Sequence, residues 1–216
     1  MRPPLFVLTA RFSELAREVY TGLRDGGLAP EATFDLACFL MDWAPARPVN
    51  QALAEQLAEQ SVAGTDPARL AGLAAQVLEE CGFAPDFDTE PRLLAVLEDA
   101  LQAVRADMRA TGLTGPVGLS FDDDATRYVR NVFADFRGSR SYTAGIFPGD
   151  AGDRVSALIA VADDVQDAVM GAAMTAWPVC PGHGLGAHPG EHAGQAAWWC
   201  NGGGGHVIAL IGGWPR

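Results

Sequence analysis

The residues best suited to chemistry in this chain are gathered near its C-terminus, in the stretch WPVCPGHGLGAHPGEHAGQAAWWCNGGGGH at 177–206. All four histidines of the chain lie in this stretch, together with two of its four cysteines. Thiolate and imidazole groups are typical ligands of zinc in proteins. This stretch is therefore the first candidate for a metal site or a catalytic site.

Two pairs of residues in the stretch have spacings that suit the ligands of one tetrahedral ion. Cys180 and His183 are separated by a proline and a glycine, which favour a tight turn. Cys200 and His206 flank NGGGG, a hairpin signal, and directly opposed residues in a hairpin have Cβ atoms about 4.5–5.5 Å apart. Together the four residues form a Cys2His2 set, which predicts a structural zinc site.

Other interpretations of the same residues stay open at this point. His188 and His192 are reserve ligands, because either could replace His206 if the loop folds back. In the interpretation without a metal, the loop histidines are solvated, and Cys180 and Cys200 are buried as small apolar side chains. Zinc motifs normally contain a C-x2-C or H-x3–5-H pair, whereas this tail has a single C-x2-H step. Zinc and no metal therefore remain alternatives.

A catalytic zinc site would also need a general base, and Glu191 is the candidate in this stretch. Glu191 lies in the segment HPGEH, in which the proline favours a loop over a ligand-bearing helix. The H-E-x-x-H motif is absent, and the order H-x-E followed by P-C-x-x-C of base deaminases is not found. A metal-dependent hydrolase that uses the Cys/His cluster with Glu191 as base is the second functional hypothesis.

Two groups of aspartates could do acid–base or metal chemistry as well. The run DDD at 122–124 lacks the alternate-position oxygens and distant glutamate of an EF-hand, and it suits the N-terminal cap of a helix. Asp163, Asp164 and Asp167 lie within one predicted helix, where a solvated acidic face is the simplest interpretation. Neither group is expected to be catalytic.

The elements that would position these residues follow from the hydrophobic pattern of the chain. Between residues 11 and 112, apolar residues recur at helical spacing in five segments. Further along, short apolar runs predict strands at 116–121, at 141–147 and on both sides of NGGGG. Helices are predicted at 125–136 and after Asp153, which suits an N-terminal cap.

We therefore expect an α+β fold. A helical N-terminal half, residues 1–112, packs on a small C-terminal α/β unit, residues 113–216, which ends in the Cys/His-rich β-hairpin. No flexible polar linker separates these regions, so we expect them to form one compact unit.

Composition excludes several classes of partner and location. The formal net charge is −12, and no lysine or arginine occurs between Arg154 and Arg216, so a nucleic-acid partner is not expected. The apolar segment 155–176 contains three aspartates and is not expected to span a membrane. The N-terminus lacks the pattern of a signal peptide, and four cysteines are too few for a disulfide scaffold. We expect a cytoplasmic protein with reduced thiols.

Because the chain shows no convincing catalytic constellation, the leading hypothesis is a non-catalytic binding or regulatory protein with a structural zinc knuckle. The acidic composition suits a basic protein partner. A third hypothesis is a structural subunit of a homo-oligomer, in which Trp199 or Trp214 would be buried across a symmetric interface.

The run ADDVQDAV, followed by WPVCPGH, AWWC and VIALIG, resembles a C-terminal pattern of uncharacterised actinobacterial proteins. In that pattern a helix leads to WP-x-CP-x-H and then to W-x-C in a closing hairpin. The resemblance covers the C-terminal quarter of the chain and implies an actinobacterial source and a shared metal knuckle, but no activity. The pattern has a second histidine two residues after the first, whereas here it comes at His188, which argues against His188 as an equivalent ligand.

Overall fold

The structure, a computed structural model, describes residues 5–43, 51–64, 66–121 and 130–215. The chain divides into two units, Met1–Pro85 and Asp86–Arg216. The division falls before the fifth helix, which the hydrophobic pattern grouped with the helical region 1–112. Within the described residues, helices make up the first unit and helices with antiparallel strands make up the second, so the predicted α+β class is confirmed.

The described part of the first unit consists of helices whose apolar faces form one core. Asp66 shows how the sequence begins such a helix: its carboxylate accepts hydrogen bonds from the N–H groups of Ala68 and Arg69, and Pro67 occupies the first helical position. The core contains side chains that are at most 2% exposed, among them Leu15, Val19, Leu36, Leu57 and Val77. The helices are α1 (Leu5–Asp25), α2 (Pro30–Trp43), α3 (Gln51–Ala63) and α4 (Pro67–Glu80).

The second unit is built around a buried helix that packs against another helix and against strands of two antiparallel sheets. In its described part, each sheet has three strands in sequential order. The elements are α5 (Arg92–Ala110), β1 (Val117–Phe121), β2 (Val132–Phe136), β3 (Ser139–Arg140), the central helix α6 (Arg154–Ala173), β4 (His188–His192), β5 (Gln195–Cys200) and β6 (His206–Leu210). Among the described residues, no helix combines the length and apolar character needed to cross a membrane.

Two predicted elements of the second unit are wrong. The end of the predicted helix 125–136 is the strand β2, which pairs with β1 along its whole length, while residues 122–129, including the predicted aspartate cap, lie outside the described residues. Arg137 and Gly138 both have positive φ, so they form a tight turn that reverses β2 into β3. The predicted strand 141–147 contributes one isolated bridge, at Ile146.

The acidic residues of α6 do not form the solvated face that their spacing predicts. Asp163 is exposed, but Asp164 is 3% exposed because its side chain points into the unit toward β2. There its carboxylate accepts hydrogen bonds from the N–H of Ala134 and from the hydroxyl groups of Ser141 and Thr143. Burial raises the pKa of Asp164, and these hydrogen bonds oppose the rise. Asp164 is thus a structural group that holds the loop after β3 against α6.

Candidate metal centre

The first part of the candidate site is a short loop between α6 and β4. Val179 forms an isolated bridge with Gly186, which closes the loop at its base. Inside it, the N–H of Cys180 donates to the carbonyl of Leu185, and the N–H of Gly184 donates to the carbonyl of Cys180, both at 2.8 Å. The Pro-Gly pair therefore forms the tight turn that its chemistry favours, and the turn presents the side chains at both its ends.

The second part is the hairpin between β5 and β6. Cys200 and His206 are directly paired across the two strands, and the glycines between them form the loop. Residues 203–205 all have positive φ, between 65° and 92°, a conformation that glycine adopts without steric cost. At Gly205 a side chain is excluded for a second reason, since a Cβ there would lie 2.4 Å from the ring of Trp199.

The loop and the hairpin bring four side chains together. The ligand atoms of Cys180, His183, Cys200 and His206 all lie within 4.8 Å of one another. Cys180 Sγ is 3.7 Å from His183 Nδ1 and 3.6 Å from His206 Nε2, and Cys200 Sγ is 3.5 Å from His183 Nδ1. Zinc bonds of about 2.3 Å to sulfur and about 2.0–2.1 Å to nitrogen give a tetrahedral sulfur–nitrogen edge of about 3.6 Å. The three distances match that edge.

The backbone around the Cys180 sulfur atom favours its thiolate form. Burial raises the pKa of the Cys180 thiol, but hydrogen bonds from the N–H groups of Gly182 and His183, and contacts with the Cys200 and His183 side chains, lower it to about 6. Cys200 accepts an equivalent hydrogen bond, at 3.3 Å from the N–H of Gly202. Each cysteine thus accepts a hydrogen bond from the residue two positions later, which supports a metal-bound thiolate.

The ligand set is largely enclosed on its sulfur side. Cys180 and Cys200 are 2% and 0% exposed, whereas His206 is half-buried and His183 is exposed. None of the four cysteines, which all lie in described residues, is in a disulfide. This is the only group of three or more Cys, His, Asp or Glu side chains within ligand distance among the described residues. Four protein ligand atoms thus lie close together, and structural zinc sites likewise use four protein ligands.

The reserve ligands and the candidate base lie elsewhere, on β4. His188 is paired with Trp199, and the ring of His192 lies 5.8 Å from the ring of Trp199, so neither histidine belongs to the ligand group. Glu191 is paired with Ala196, and about 13 Å of strand separates Ala196 from the ligand Cys200. The strand β4 itself was not expected, because a segment containing proline and glycine is a poor strand former.

A buried carboxylate that the sequence did not single out anchors the tail to α5. Asp107 is fully buried and accepts three hydrogen bonds, from the indole N–H of Trp198 and from the backbone N–H groups of Gly212 and Trp214, at 2.7–2.8 Å. No local sequence pattern indicates that Asp107 is buried, since in the sequence it is an ordinary aspartate of an amphipathic helix. Its partners come from residues about a hundred positions away.

The tryptophans of the tail pack inside the unit. Trp198 is fully buried, with edge-to-face contacts to Trp177 at 5.5 Å and to Trp214 at 6.1 Å between ring centroids. Its neighbour Trp199 faces the other side of the sheet and is half-buried, in line with the expected alternation. Gln166 of α6 donates to the backbone carbonyls of Trp177 and Ala187, which fixes the chain on both sides of the first ligand loop.

Comparison of the chain with models of protein families, with curated proteins and with solved structures finds no match.

Proposed function

We propose that the second unit is a non-catalytic binding module whose C-terminal sheet is held by one structural zinc ion. The observation that carries this proposal is the spacing of the ligand atoms: all four lie within 4.8 Å of one another, and three sulfur–nitrogen distances of 3.5–3.7 Å match the edge of a tetrahedral zinc site. Cys180 and His183 would supply two ligands from the loop, and Cys200 and His206 would supply two from the hairpin. The ion would then join the tip of the loop to the end of the hairpin.

The geometry favours a structural role over a hydrolytic one. A catalytic zinc ion keeps one coordination position open for water or substrate, whereas here four protein side chains are within reach of one ion and would fill its coordination sphere. The base that the hydrolase hypothesis requires, Glu191, belongs to the far end of the β4–β5 pair. For the homo-oligomer hypothesis, Trp214 is 7% exposed within its own unit, so the half-buried Trp199 is the interface residue that remains.

We also propose that this module binds a basic protein partner in the cytoplasm. The net charge of −12, and the absence of lysine and arginine from residues 155–215, support a cationic partner through complementary charge. A reducing compartment would keep Cys180 and Cys200 as thiols that are able to bind zinc.

Elemental analysis tests the metal part of the proposal directly. Protein purified without a metal-affinity tag is expected to contain about one equivalent of zinc per chain, because one tetrahedral set of ligands is present. Cys180→Ser should contain no stoichiometric zinc, whereas Cys38→Ser, a cysteine of the other unit, should keep it. A well-folded wild-type protein without any metal would exclude both the structural and the catalytic zinc hypothesis.

A glycine substitution beside the ligands gives a test that changes no ligand. A Cβ at Gly202 would lie 2.5 Å from Cγ and 2.6 Å from Nδ1 of His183, so Gly202→Ala must displace the imidazole ring. We expect the zinc affinity, measured by competition with a chromophoric chelator, to fall about 10–100-fold, as for other changes that misorient a ligand.

The matched control is Gly182→Ala, in the other ligand-bearing loop. A Cβ at Gly182 meets no atom within 4 Å, and its backbone N–H stays in place. This variant is expected to bind zinc as the wild type does. Equal zinc affinity of the Gly202→Ala and Gly182→Ala variants would show that the ring of His183 does not need its observed position.

A further inference from the structure

One stripe of α6 reaches solvent, although most of that helix is buried. Asp163, Asp167 and Met170 follow one another at intervals of four and three residues, so they lie along one side of the helix, and Met174, the residue that ends it, comes four residues after Met170. We call these four residues the α6 stripe. Its two aspartates come first along the helix and its two methionines come last, which gives the stripe an acidic half and an apolar half.

An exposed aromatic side chain lies beside the apolar half. The backbone N–H of Tyr142 donates to the carboxylate of Asp167 at 2.5 Å, and its ring lies against the helix so closely that a Cβ at Gly171 would be 3.2 Å from it. Tyr142 is nevertheless 84% exposed, Met170 is 44% exposed and Met174 is 88% exposed. Large apolar side chains that stay exposed side by side commonly mark an interaction surface.

Met174, the last residue of the α6 stripe, has a backbone conformation that is unusual for methionine. Met174 caps α6 with φ 52° and ψ 36°, the left-handed conformation in which helices normally place glycine. A residue with a Cβ is disfavoured there, and the methionine side chain gains no burial in return. A strained position that packing within the unit does not explain points to a functional reason for the side chain.

No lysine or arginine of residues 155–215 neutralises the negative charge of the acidic half. Residues 155–215 contain neither residue type, and the titratable groups that act on Asp163 are Asp164, Asp167 and His188. Burial and then the two neighbouring aspartates raise the pKa of Asp163, while His188 lowers it. The electrostatic complement of this half is therefore a cation supplied from outside the segment.

We propose that the α6 stripe and Tyr142 form a docking surface for a cationic amphipathic segment of a partner protein. Lysine or arginine side chains of the partner bind Asp163 and Asp167, and its apolar side chains pack on Met170, Met174 and Tyr142. Methionine suits this role because its flexible thioether adapts to different apolar side chains. The inference rests on the proposed binding of a basic partner and names the surface that does the binding.

The test uses the zinc-loaded chain of 216 residues and a labelled helical peptide of about 18 residues composed of leucine and lysine in amphipathic register. Binding is measured by fluorescence anisotropy at about 0.1 M salt, where charges more than about 10 Å apart are screened. Met174→Gly is the decisive variant, because glycine relieves the backbone strain while it removes the side chain. We expect it to raise the midpoint of thermal unfolding and to weaken peptide binding about tenfold.

Control variants separate the stripe from the rest of the surface. Asp163→Asn should weaken binding several-fold, whereas Leu210→Ser, an exposed apolar residue of β6, and Glu98→Gln, an exposed acid of α5, should bind the peptide as the wild type does. A lysine and serine peptide of the same charge should bind much more weakly, since the apolar half would make no contact with it.

Four results would overturn the inference. If Met174→Gly bound the peptide with wild-type affinity, or if the two peptides bound equally well, the α6 stripe would not be the binding site. The proposed function would then stand, because the acidic surface would still bind a cationic partner. A wild-type dimer that Met174→Gly dissociates would show that a second copy occupies the stripe. Failure of the zinc-loaded wild type to bind either peptide would contradict the basic partner itself, and with it this surface.

Discussion

Cys200→Ser is expected to abolish stoichiometric zinc binding and to lower the unfolding midpoint of the second unit to that of the metal-free wild type. Serine has nearly the same shape as cysteine, so the change removes a ligand and leaves almost no cavity. A bound ion stabilises the native state by about 4 kcal/mol when free zinc is about a thousandfold above its Kd. Thermal unfolding of both proteins, with zinc and with a chelator, measures the difference.

The comparison with chelator is the discriminating part of that experiment. In wild type the chelator should lower the unfolding midpoint, whereas in Cys200→Ser it should have no effect, because no ion remains to be removed. Cys38→Ser is the matched control and should respond to the chelator as the wild type does. If Cys200→Ser is destabilised but the wild type does not respond to zinc or to the chelator either, the buried thiol acts through packing alone, as the interpretation without a metal requires.

Asp107→Ala is expected to cost about 3–5 kcal/mol of the free energy of unfolding, with or without zinc. The substitution leaves three buried N–H groups without an acceptor, those of the Trp198 indole, Gly212 and Trp214. Each such orphaned donor carries a desolvation penalty of about 1–3 kcal/mol. Urea unfolding followed by tryptophan fluorescence is a suitable measurement, since Trp198 and Trp214 contact this carboxylate directly.

An exposed acid on the same helix provides the control. Glu98→Ala removes a carboxylate that faces solvent and should change the free energy of unfolding by no more than about 0.5 kcal/mol. Asp107→Asn keeps one acceptor oxygen, but its amide N–H2 group faces an N–H donor. Its free energy of unfolding is therefore expected to lie between those of Asp107→Ala and Glu98→Ala. Equal stabilities of Asp107→Ala and Glu98→Ala would show that the tail does not depend on this carboxylate.

The two ligand-bearing turns could be predicted from the sequence because each involves only residues that are close together in the chain. Cys180-Pro-Gly-His183 and Cys200-NGGGG-His206 each join residues close in the chain, and their turn chemistry depends mainly on proline and glycine. Helix ends marked by Pro and Gly, such as Asp66-Pro67, were accessible for the same reason. The strand β2 was missed because a short run of Val, Phe and Ala residues fits a helix or a strand, and its pairing with β1 decides between them.

The sequence by itself determined the α+β class, the two turns and the residue types able to bind a metal. Only the tertiary structure decided which histidines join the cysteines: pairing of β4 with β5 places His188 and His192 away from the ligand group, and closure of the loop brings His183 to His206. It also decided that Asp107 and Asp164 are buried acceptors, although their spacing suited solvated helix faces. The physical reason is that turns depend on neighbouring residues, whereas strand pairing and buried hydrogen bonds join residues distant in the chain.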